Sequence, residues 1–491
     1  MRKPCSVVPV DLERPDVVLS AWRDFLTGDA VGAADPERRV LDLFQDVAAT
    51  VPAYRAFLGE HGVDPGAVST MDDFRKLPLC TKENYHRRYP LPELCRGGRL
   101  AGCDMIAVSS GSSGQPTVWP RFVTDELSVA ARFDQVLRHG FRAHERSTLA
   151  VVCFPLGTWV GGLYTTSCLR HLAAKGFPLT VVAPGNNKAE ILRVIPELAP
   201  HFEQTVLFGY PPFLKDVVDT GRTDLDWAAY SVKMVLAGEV FSEQWRDLVG
   251  ERAGMADPVR DTASLYGTAD AGVLGNETPL SVSVRRFLAA QPKLAAELFG
   301  QQRLPTLVQY DPGSRYCEER DGTLLFSGDN GIPLIRYHIA DEGGVIGHRE
   351  LLDFCVRNGF RPGFDEPALP FVYVFGRSLF AVSFFGANVY PENVTVGLEQ
   401  PEVSARVTGK FVIEVTEDGD ADARLRVTVE QAPGVTADRA AVASAIRDAL
   451  VLLNSEYANY VPARRQLPDV ELRDAGDPEY FPVGVKHRYT R

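Results

Sequence analysis

An α/β fold, with parallel or mixed sheets flanked by helices, is predicted for the larger N-terminal part of this 491-residue chain. Short apolar segments of strand length alternate along it with segments whose apolar residues recur at helical spacing. Such alternation is typical of sheets whose parallel strands are joined by helices. Near the C-terminus the pattern changes to two strands of alternating polarity followed by a helix. This change predicts a second, smaller α+β unit.

The individual elements follow from the same patterns. Buried strands are predicted at residues 148–154, 179–182, 205–208 and 232–237. Helices are predicted within residues 12–60 and at 124–140, 163–175 and 188–198. Residues 64–90 read as a turn-rich connector with a positioning role, and residues 322–341 as a β-meander. In the C-terminal part, residues 410–415 and 425–429 predict a hairpin, and 436–457 a helix.

Composition and charge exclude several classes of function. The net charge of -12 argues against nucleic-acid binding, because that function needs clustered Lys and Arg residues. No run of about eighteen apolar residues is present, so no membrane partner is expected. The N-terminal apolar run is too short for a signal peptide. The eight cysteines are scattered, without zinc-site spacing, which predicts reduced thiols and a cytoplasmic location.

A run of small and hydroxylated residues, Val108-Ser-Ser-Gly-Ser-Ser-Gly-Gln-Pro-Thr117, is the strongest candidate for a ligand-binding loop. Its glycines allow close approach of the backbone to an anion, and consecutive N–H groups in such a turn form an anion-binding nest. A solvated linker is the alternative. The short length and the ordered-looking flanks favour phosphate.

Two further segments end predicted strands in small and acidic residues, namely Val235-Leu-Ala-Gly-Glu239 and Ala263-Ser-Leu-Tyr-Gly-Thr-Ala-Asp270. Ligands of open α/β sheets bind at the carboxyl ends of strands. The ring of Tyr266 suits stacking on a base, Gly267 keeps the approach open, and Asp270 offers a hard oxygen to Mg²⁺. A packed core tyrosine and a capping aspartate are the alternatives.

Asp341 ends the predicted meander. A carboxylate there can accept hydrogen bonds from both hydroxyls of a ribose, although an aspartate that caps its own turn is the alternative. His338, close by, is interpreted as a structural histidine.

Several motifs together resemble the adenylate-forming acyl-CoA synthetase superfamily, in particular its phenylacetate-CoA ligase branch. The run from Ser109 to Thr117 is similar to that family's phosphate loop, and Tyr266-Gly-Thr-Ala-Asp270 to its Tyr-Gly-x-Ser/Thr-Glu motif. The segment from Tyr337 to Asp341 is similar to its ribose-binding motif. Gly376-Arg-Ser378, Phe385-Gly-Ala-Asn-Val-Tyr-Pro-Glu392 and Leu77-Pro-Leu-Cys-Thr-Lys-Glu83 resemble its hinge, the loop after the hinge and its Leu-Pro-x-x-x-Lys segment.

The resemblance implies an adenylation domain over residues 1–375, a hinge at 376–380 and a mobile C-terminal lid over 381–491. It implies an ATP site formed by Ser109, Ser110, Gly111, Ser112, Ser113, Gly114, Gly238, Glu239, Tyr266, Gly267, Thr268, Asp341 and Arg377. Magnesium is expected at Asp270. The catalytic lysine that bridges the two reacting anions is expected near the C-terminus, where Lys486 is the candidate.

Four positions depart from the family pattern. Gln115 stands where the phosphate loop usually has lysine, and Ala269 replaces a hydroxylated residue. Asp270 is one methylene shorter than the usual glutamate, and Leu379 occupies a polar hinge position. The missing lysine leaves backbone dipoles, magnesium and the lid to neutralise the pyrophosphate.

The activity implied by the resemblance is activation of a small carboxylic acid by ATP, with release of pyrophosphate and transfer to a thiol. The thiol is that of coenzyme A or of a carrier-protein phosphopantetheine, and Gly386 and Ala387 would leave room for its arm. Apolar residues around the expected acid pocket predict an aromatic acid: Phe154, Trp159, Phe208, Tyr210 and Phe241.

Two other functions remain open at this stage. Some relatives activate nitrite and pass it to an aryl amine, which makes a diazo group, and nitrite could occupy the attacking position here. Alternatively, the altered residues Gln115 and Ala269 could belong to a nucleotide-binding regulatory protein without turnover.

Overall fold

The computed structural model describes residues 15–27, 35–101, 103–109, 117–158, 160–238, 241–300, 304–363, 367–377, 382–417, 422–481 and 489–490. Within these ranges the chain forms a larger N-terminal unit, which ends at residue 377, and a smaller C-terminal unit, which begins at residue 382. No helix in these ranges is both long and apolar enough to cross a membrane.

The larger unit consists of a two-stranded hairpin, an eleven-stranded mixed sheet as far as the structure describes it, and surrounding helices. Its helices are α1 (Pro15–Thr27), α2 (Pro36–Thr50), α3 (Pro52–Glu60), α4 (Met71–Phe74), α5 (Val123–Gln135), α6 (Val160–Ala174), α7 (Lys188–Leu198), α8 (Pro211–Gly221), α9 (Glu243–Arg252), α10 (Pro258–Asp261), α11 (Pro279–Ala289), α12 (Pro292–Phe299) and α13 (His348–Arg357). Its strands are β1 (Met105–Ser109), β2 (Thr117–Arg121), β3 (Thr148–Val152), β4 (Leu179–Val182), β5 (Gln204–Gly209), β6 (Val232–Ala237), β7 (Thr262–Thr268), β8 (Gly272–Asn276), β9 (Thr306–Gln309), β10 (Arg315–Arg320), β11 (Thr323–Gly328), β12 (Leu334–Ile346) and β13 (Phe371–Arg377).

The strand order of the large sheet is β10-β11-β12-β13-β9-β8-β7-β6-β5-β3-β4. Five of its strands, β3 to β7, are parallel to one another. The other adjacent strands pair antiparallel. Helices connect the parallel strands, as the alternating sequence pattern predicts. The carboxyl ends of β3, β5, β6 and β7 therefore lie along one edge of the sheet.

The parallel part of the sheet is buried on both faces. In β3, Leu149 and Val151 contribute to one apolar core, whereas Ala150 and Val152 contribute to another. Helices α7, α8 and α9 and the C-terminal unit cover the first face, and α1, α5 and α6 cover the second. Burial on both faces explains why β3 is a continuous apolar run rather than an alternating one.

The C-terminal unit is small and α+β. Its strands are β14 (Val382–Phe384), β15 (Ala387–Val389), β16 (Val407–Glu417), β17 (Ala423–Gln431) and β18 (Asp469–Arg473), and its helices are α14 (Pro391–Leu398), α15 (Pro401–Ser404), α16 (Arg439–Leu453) and α17 (Ser455–Tyr460). Strands β14 and β15 form a hairpin, and β16, β17 and β18 form a separate sheet covered by α14 and α16.

The C-terminal unit packs against α8 of the larger unit. Lys215, almost fully buried, places its Nζ 2.8 Å from a carboxylate oxygen of Asp422, and Arg464 pairs with Asp216. The rings of Tyr210 and Tyr460 stack across the same boundary, with centroids 5.5 Å apart. The contact between the two units is therefore both ionic and aromatic.

The fold class predicted from the sequence is confirmed, including the smaller α+β unit. The single helix predicted over 436–457 is wrong in one respect, since it is broken between α16 and α17. At the break, the side chain of Asn454 accepts a hydrogen bond from the N–H of Tyr457 and so caps α17. This local bond ends the longer helix although the apolar spacing continues.

Candidate active site

Two tyrosines and two aspartates form crossed hydrogen bonds at the carboxyl-end edge of the sheet. Tyr266, in β7, donates from Oη to Oδ2 of Asp341 at 2.7 Å. Tyr337, in β12, donates from Oη to Oδ2 of Asp270 at 2.7 Å. Both carboxylates are buried. The segments Tyr266–Asp270 and Tyr337–Asp341, both selected from the sequence, thus meet in the fold, and each supplies the hydrogen-bond acceptor for the other.

Lys82 joins this group from the connector. Its Nζ lies 3.5 Å from Oδ1 of Asp270, and its side chain is 20% exposed. It lies in a single π-helical turn, Lys82–His86, whose capping box is formed by Thr81 and Asn84. The sequence predicted only a positioning role for the connector. The Leu-Pro-x-x-x-Lys segment, which ends at this lysine, was the signal that could have identified it.

The connector is fixed by backbone pairing with β12. The N–H of Cys80 donates to the carbonyl of Arg336 at 3.2 Å, and the N–H of His338 donates to the carbonyl of Cys80 at 2.8 Å. The same strand carries Asp341, and it also carries Tyr337, which bonds to Asp270. Strand β12 therefore positions Lys82 relative to both carboxylates. His338 contacts Thr323 through Nε2 at 2.9 Å, in agreement with its structural interpretation.

A buried histidine lies behind this charge pair. Burial lowers the pKa of His86, and its Nε2 is 3.0 Å from the carbonyl of Val118. The ring also packs on Trp119, with centroids 4.3 Å apart. The cation that faces Asp270 is therefore Lys82 rather than His86.

The hairpin of β1 and β2 brings the base of the Gly/Ser run to the same place. Ser109 and Thr117 are the last paired residues on the two strands, and their hydroxyls are buried without a hydrogen-bond partner among the described residues. Arg121, in β2, donates to the carbonyl of Ala269, and the ring of Trp119 contacts that of Tyr337 edge to face. Unpartnered hydroxyls at the base of the loop fit a polar ligand.

The structure describes only some of the remaining residues of the predicted ATP site. Outside the described residues lie Ser110, Gly111, Ser112, Ser113, Gly114, Gln115 and Glu239, and of Arg377 only the backbone is described. The catalytic candidate Lys486 and the hinge residue Leu379 also lie outside them. In the backbone, Arg377 of β13 pairs with Asp341 of β12. The roles predicted for these residues stay predictions.

Gly238, Gly267 and Thr268 are described and have local structural roles. Gly238 has φ +91°, and a Cβ there would lie 2.6 Å from the ring of Tyr210. A Cβ on Gly267 would lie 2.7 Å from the carbonyl oxygen of Gly272 in the adjacent strand. The hydroxyl of Thr268 accepts from the N–H of Ala271 at 3.1 Å. The two glycines allow the strand ends to pack closely against their neighbours.

The structure divides the aromatic residues predicted for the acid pocket between two faces of the sheet. Phe154 and Phe208 belong to the core beneath α5 and α6, and Phe154 packs edge to face on Tyr210 at 5.1 Å. Phe241 belongs to the opposite core, where its ring packs on Trp245 at 4.9 Å. Trp159 lies outside the described residues. The pair formed by Phe154 and Tyr210 is therefore the part of this set that lies together near Gly238.

A metal ion is not held by a preformed cage of protein ligands here. The described residues contain no group of three or more His, Cys, Asp or Glu side chains suited to a metal. Asp270 is already engaged by Lys82 and Tyr337. Since Mg²⁺ is commonly bound by one or two carboxylates together with substrate phosphates, Asp270 fits an ion that arrives with a nucleotide.

Comparisons with known proteins identify similar sequences and folds. No protein-family model matches the chain. It is 26% identical over 418 residues to a phenylacetate-coenzyme A ligase of Thermus thermophilus, which covers 80% of this chain and 81% of the relative. It is 22% identical over 404 residues to a phenylacetate-coenzyme A ligase of Escherichia coli, which covers 77% and 78%.

Solved structures share the fold. A 2-hydroxyisobutyryl-CoA ligase in its thioester-forming state, in complex with 2-HIB-AMP and CoA, superposes with a TM-score of 0.64 at 16% identity over 94% of this chain and 90% of that one. The same ligase in its post-adenylation state gives a TM-score of 0.53 at 15% identity over 93% and 88%. The chain is therefore a homologue of the phenylacetate-coenzyme A ligases and has the fold of the adenylate-forming CoA ligases.

Proposed function

We propose that the protein is an AMP-forming ligase that activates a small, aromatic carboxylic acid with ATP and transfers the acyl group to a thiol. The observation that carries this proposal is the crossed pairing of Tyr266 with Asp341 and Tyr337 with Asp270. It joins the two motifs expected at the ribose and at the phosphates, beside the base of the Gly/Ser loop. Homology to phenylacetate-coenzyme A ligases supports the same reaction.

In the first half-reaction, a carboxylate oxygen of the acid attacks the α-phosphorus of ATP. The bond from that phosphorus to the bridging oxygen breaks, and pyrophosphate leaves. Because both reactants are anionic, rate enhancement depends on preorganised positive charge. Magnesium bound with the nucleotide would offset the charge of the phosphates.

Lys82 is proposed to supply positive charge that the loop lacks at Gln115. Its ammonium is held beside Asp270, the residue at which magnesium is expected. Tyr337 bonds to the other oxygen of the Asp270 carboxylate. This bond fixes the orientation of the carboxylate that holds Lys82. Lys486 is proposed as the second cation, which would contact both the acid and the α-phosphate.

In the second half-reaction, the thiol sulfur attacks the acyl carbon, the thiol loses its proton, and AMP leaves. The proposed acceptor is coenzyme A, which is supported by the function of the curated relatives; a carrier-protein phosphopantetheine is the alternative. The higher TM-score against the thioester-forming state than against the post-adenylation state supports a lid orientation suited to this second step.

The acid is proposed to lie near Phe154 and Tyr210, whose rings pack edge to face at the ends of β3 and β5. Gly238, at the end of β6, borders the same tyrosine ring. In pockets of this kind, the apolar wall selects the acid by its shape, and a few polar groups of the pocket orient the carboxylate.

The proposal is tested by exchange of labelled pyrophosphate into ATP with a panel of acids that includes benzoate, phenylacetate and 2-hydroxyisobutyrate. Exchange that depends on an aromatic acid, followed by AMP release when coenzyme A is added, is expected. Exchange driven only by nitrite would replace the proposal with diazotisation. Nucleotide binding without exchange for any acid or nitrite would replace it with a regulatory role.

A further inference from the structure

A buried ionic cluster lies between the residues that follow β6 and the first residues of β7, away from the crossed tyrosine–aspartate pairs. We call it the arginine–glutamate cluster, and it consists of Glu243, Arg246, Glu277 and Arg285. Arg246 is fully buried and Glu277 is 1% exposed. The guanidinium of Arg246 donates from one nitrogen to both oxygens of Glu277, at 2.9 and 3.0 Å, and from Nε to Glu243 at 2.9 Å.

One side of the cluster holds β7. Oε2 of Glu277 accepts a hydrogen bond from the N–H of Ser264 at 2.8 Å, and the N–H of Glu277 donates to the carbonyl of Ser264 at 2.7 Å. Arg246 donates to the hydroxyl of Thr262. Ser264 is two residues before Tyr266 on the same strand. The cluster therefore fixes the strand that delivers Tyr266 to Asp341.

The other side of the cluster holds the segment that follows β6. Arg285 donates from one terminal nitrogen to the carbonyl of Phe241 at 2.6 Å, from Nε to the carbonyl of Pro305 at 2.8 Å, and from the other terminal nitrogen to Glu243. The guanidinium of Arg246 lies 4.9 Å from the centroid of the Phe241 ring. Phe241 comes three residues after Gly238 in the chain, so this hydrogen bond fixes the backbone close in sequence to the end of β6.

A buried ionic group is a costly way to fill space, because apolar side chains of similar volume pack without the desolvation penalty. What an arginine adds is a planar fork that fixes several oxygens in one geometry. Here, that fork bonds to backbone carbonyls in two separate segments and to one carboxylate. The contacts of Arg285 are therefore better explained by a role in positioning the residues that follow β6 and those that precede β9 than by stability.

We propose that Arg285, together with the rest of the cluster, is a positioning residue for the nucleotide site: it sets the end of β6 relative to β7. This inference rests on the proposed function and on the ATP site predicted from the sequence, which includes Gly238 at the end of β6 and Tyr266 in β7. Arg285 itself does not contact the Tyr266–Asp341 or Tyr337–Asp270 pair in the described residues, so its effect on the nucleotide passes through the backbone of Phe241.

The test compares Arg285→Met and Arg285→Lys with the control Arg286→Met. Arg286 is the next residue of α11 and also pairs with Glu243, at 3.1 Å, but its other partner is the exposed side chain of Asp247. Loss of a positioning contact of this kind typically lowers affinity or rate about tenfold to a hundredfold. We expect Arg285→Met to raise KM for ATP and Kd for AMP about tenfold.

Arg285→Lys, which keeps the charge but loses the fork, should give an intermediate value, and Arg286→Met should match the unmodified protein. AMP affinity is measured by calorimetry and thermal stability by scanning calorimetry on the same samples. A lower Tm with unchanged KM for ATP and unchanged AMP affinity, in either Arg285 variant, would overturn the inference. If Arg285→Met does not fold, Arg285→Lys decides the question.

The two proposals fail in different ways. If the unmodified protein releases no AMP with any acid, the proposed function fails, whereas the AMP affinities of the variants still test the cluster. If the unmodified protein is active and all variants bind AMP equally, only the positioning role fails.

Discussion

The phenol of Tyr337 donates a 2.7 Å hydrogen bond to Asp270, a carboxylate that lies on a different strand end and is also paired with Lys82. A hydrogen bond to a buried charged group contributes about 1.5–3 kcal/mol. Tyr337→Phe removes this bond but keeps the packing of the ring. We expect pyrophosphate exchange to fall about tenfold or more, because Asp270 and Lys82 lose their fixed orientation.

Tyr85→Phe is a matched control for this substitution. Tyr85 belongs to the same apolar core as Tyr337, and its hydroxyl has no hydrogen-bond partner among the described residues. Removal of this hydroxyl should leave exchange unchanged. Equal losses in the two variants would show that the effect is one of packing, and would remove the Tyr337–Asp270 bond from the proposed site.

The sequence selected three of these residues as candidates, but neither Lys82 nor the pairing of the tyrosines with the aspartates. Tyr266 and Asp270 were selected because small, aromatic and acidic residues follow an apolar run at a strand end. Asp341 was selected as the end of the predicted meander, but β12 continues past it to Ile346. That each tyrosine bonds to the aspartate of the other motif depends on the order of strands in the sheet, in which β12 and β13 lie beyond β8 and β9. Local sequence does not determine this order, because several antiparallel arrangements satisfy the same apolar pattern.

Gly386→Ala should separate the two half-reactions. A Cβ on Gly386, which has φ +81°, would lie 2.9 Å from two ring atoms of Tyr210 and so oppose the present contact of the β14–β15 hairpin. If this orientation of the C-terminal unit serves thiol transfer, thioester formation falls at least about tenfold while pyrophosphate exchange is retained. The measurement is exchange and coenzyme A-dependent AMP release on one preparation.

Gly409→Ala provides the control because Gly409 lies in the same unit with φ +84°, and a Cβ there would meet nothing within 4 Å. It imposes the same backbone strain without the clash. Both half-reactions should proceed as in the unmodified protein. A selective loss of thioester formation in Gly409→Ala as well would contradict the role given to the contact with Tyr210.

Burial raises the pKa of Asp125 to about 6, although Arg121 and Arg315 act in the opposite direction. Its Oδ2 accepts from the N–H groups of Phe122 and Gly331, and so joins the segment after β2 to the turn before β12. Because the folded-state pKa lies above the unfolded value, this group stabilises the fold at low pH and loses that contribution as pH rises from about 4 to 6.

Asp125→Asn should therefore raise the free energy of unfolding at pH 8, by on the order of 1–3 kcal/mol, and change it little at pH 4. The amide oxygen can accept the same two backbone hydrogen bonds without burying a charge. Denaturant titrations at the two pH values measure the difference. Lower stability of the variant at pH 8 would be the contrary result.

The control for this pH effect is Asp35→Asn. Asp35 also accepts from two backbone N–H groups, those of Glu37 and Arg38, but it is exposed at the start of α2. Asn and Asp are equally good at this position of a helix. The control should leave the free energy of unfolding close to that of the unmodified protein.

Most of the fold could be predicted because its signals are local. Every residue of β3, from Thr148 to Val152, is buried, and the sequence shows this directly as an apolar run. The end of α16 at Asn454 could not be predicted, because a side-chain bond to Tyr457 competes there with a helix that the apolar spacing continues. Contacts between the two units, such as Lys215 with Asp422, also depend on tertiary structure alone.

Lys486→Ala tests the second proposed cation. Loss of a preorganised charge at developing negative charge typically costs about a hundredfold or more in rate. We expect pyrophosphate exchange to fall by that factor, with thermal stability and ATP binding close to those of the unmodified protein. The nearby cation Arg488, replaced by Ala, is the control and should retain exchange. An unaltered rate in Lys486→Ala would remove this lysine from the site.

Lys82→Met tests whether the ammonium acts on the phosphates or only neutralises Asp270. Either role predicts a loss of exchange of about tenfold or more, because both charges are largely withdrawn from water. Lys76→Met is the control, since Lys76 lies on the same connector with its side chain 75% exposed and pairs with Asp73. It should behave as the unmodified protein does.

The double variant Lys82→Met with Asp270→Asn separates the two roles of Lys82. If the lysine only neutralises Asp270, removal of both charges restores exchange to at least the rate of Asp270→Asn alone. If the lysine contacts the phosphates, the double variant is slower than Asp270→Asn, since the positive charge is lost whether or not its partner is present. We expect the second result, because Gln115 leaves the phosphate loop without the lysine that the family pattern has there.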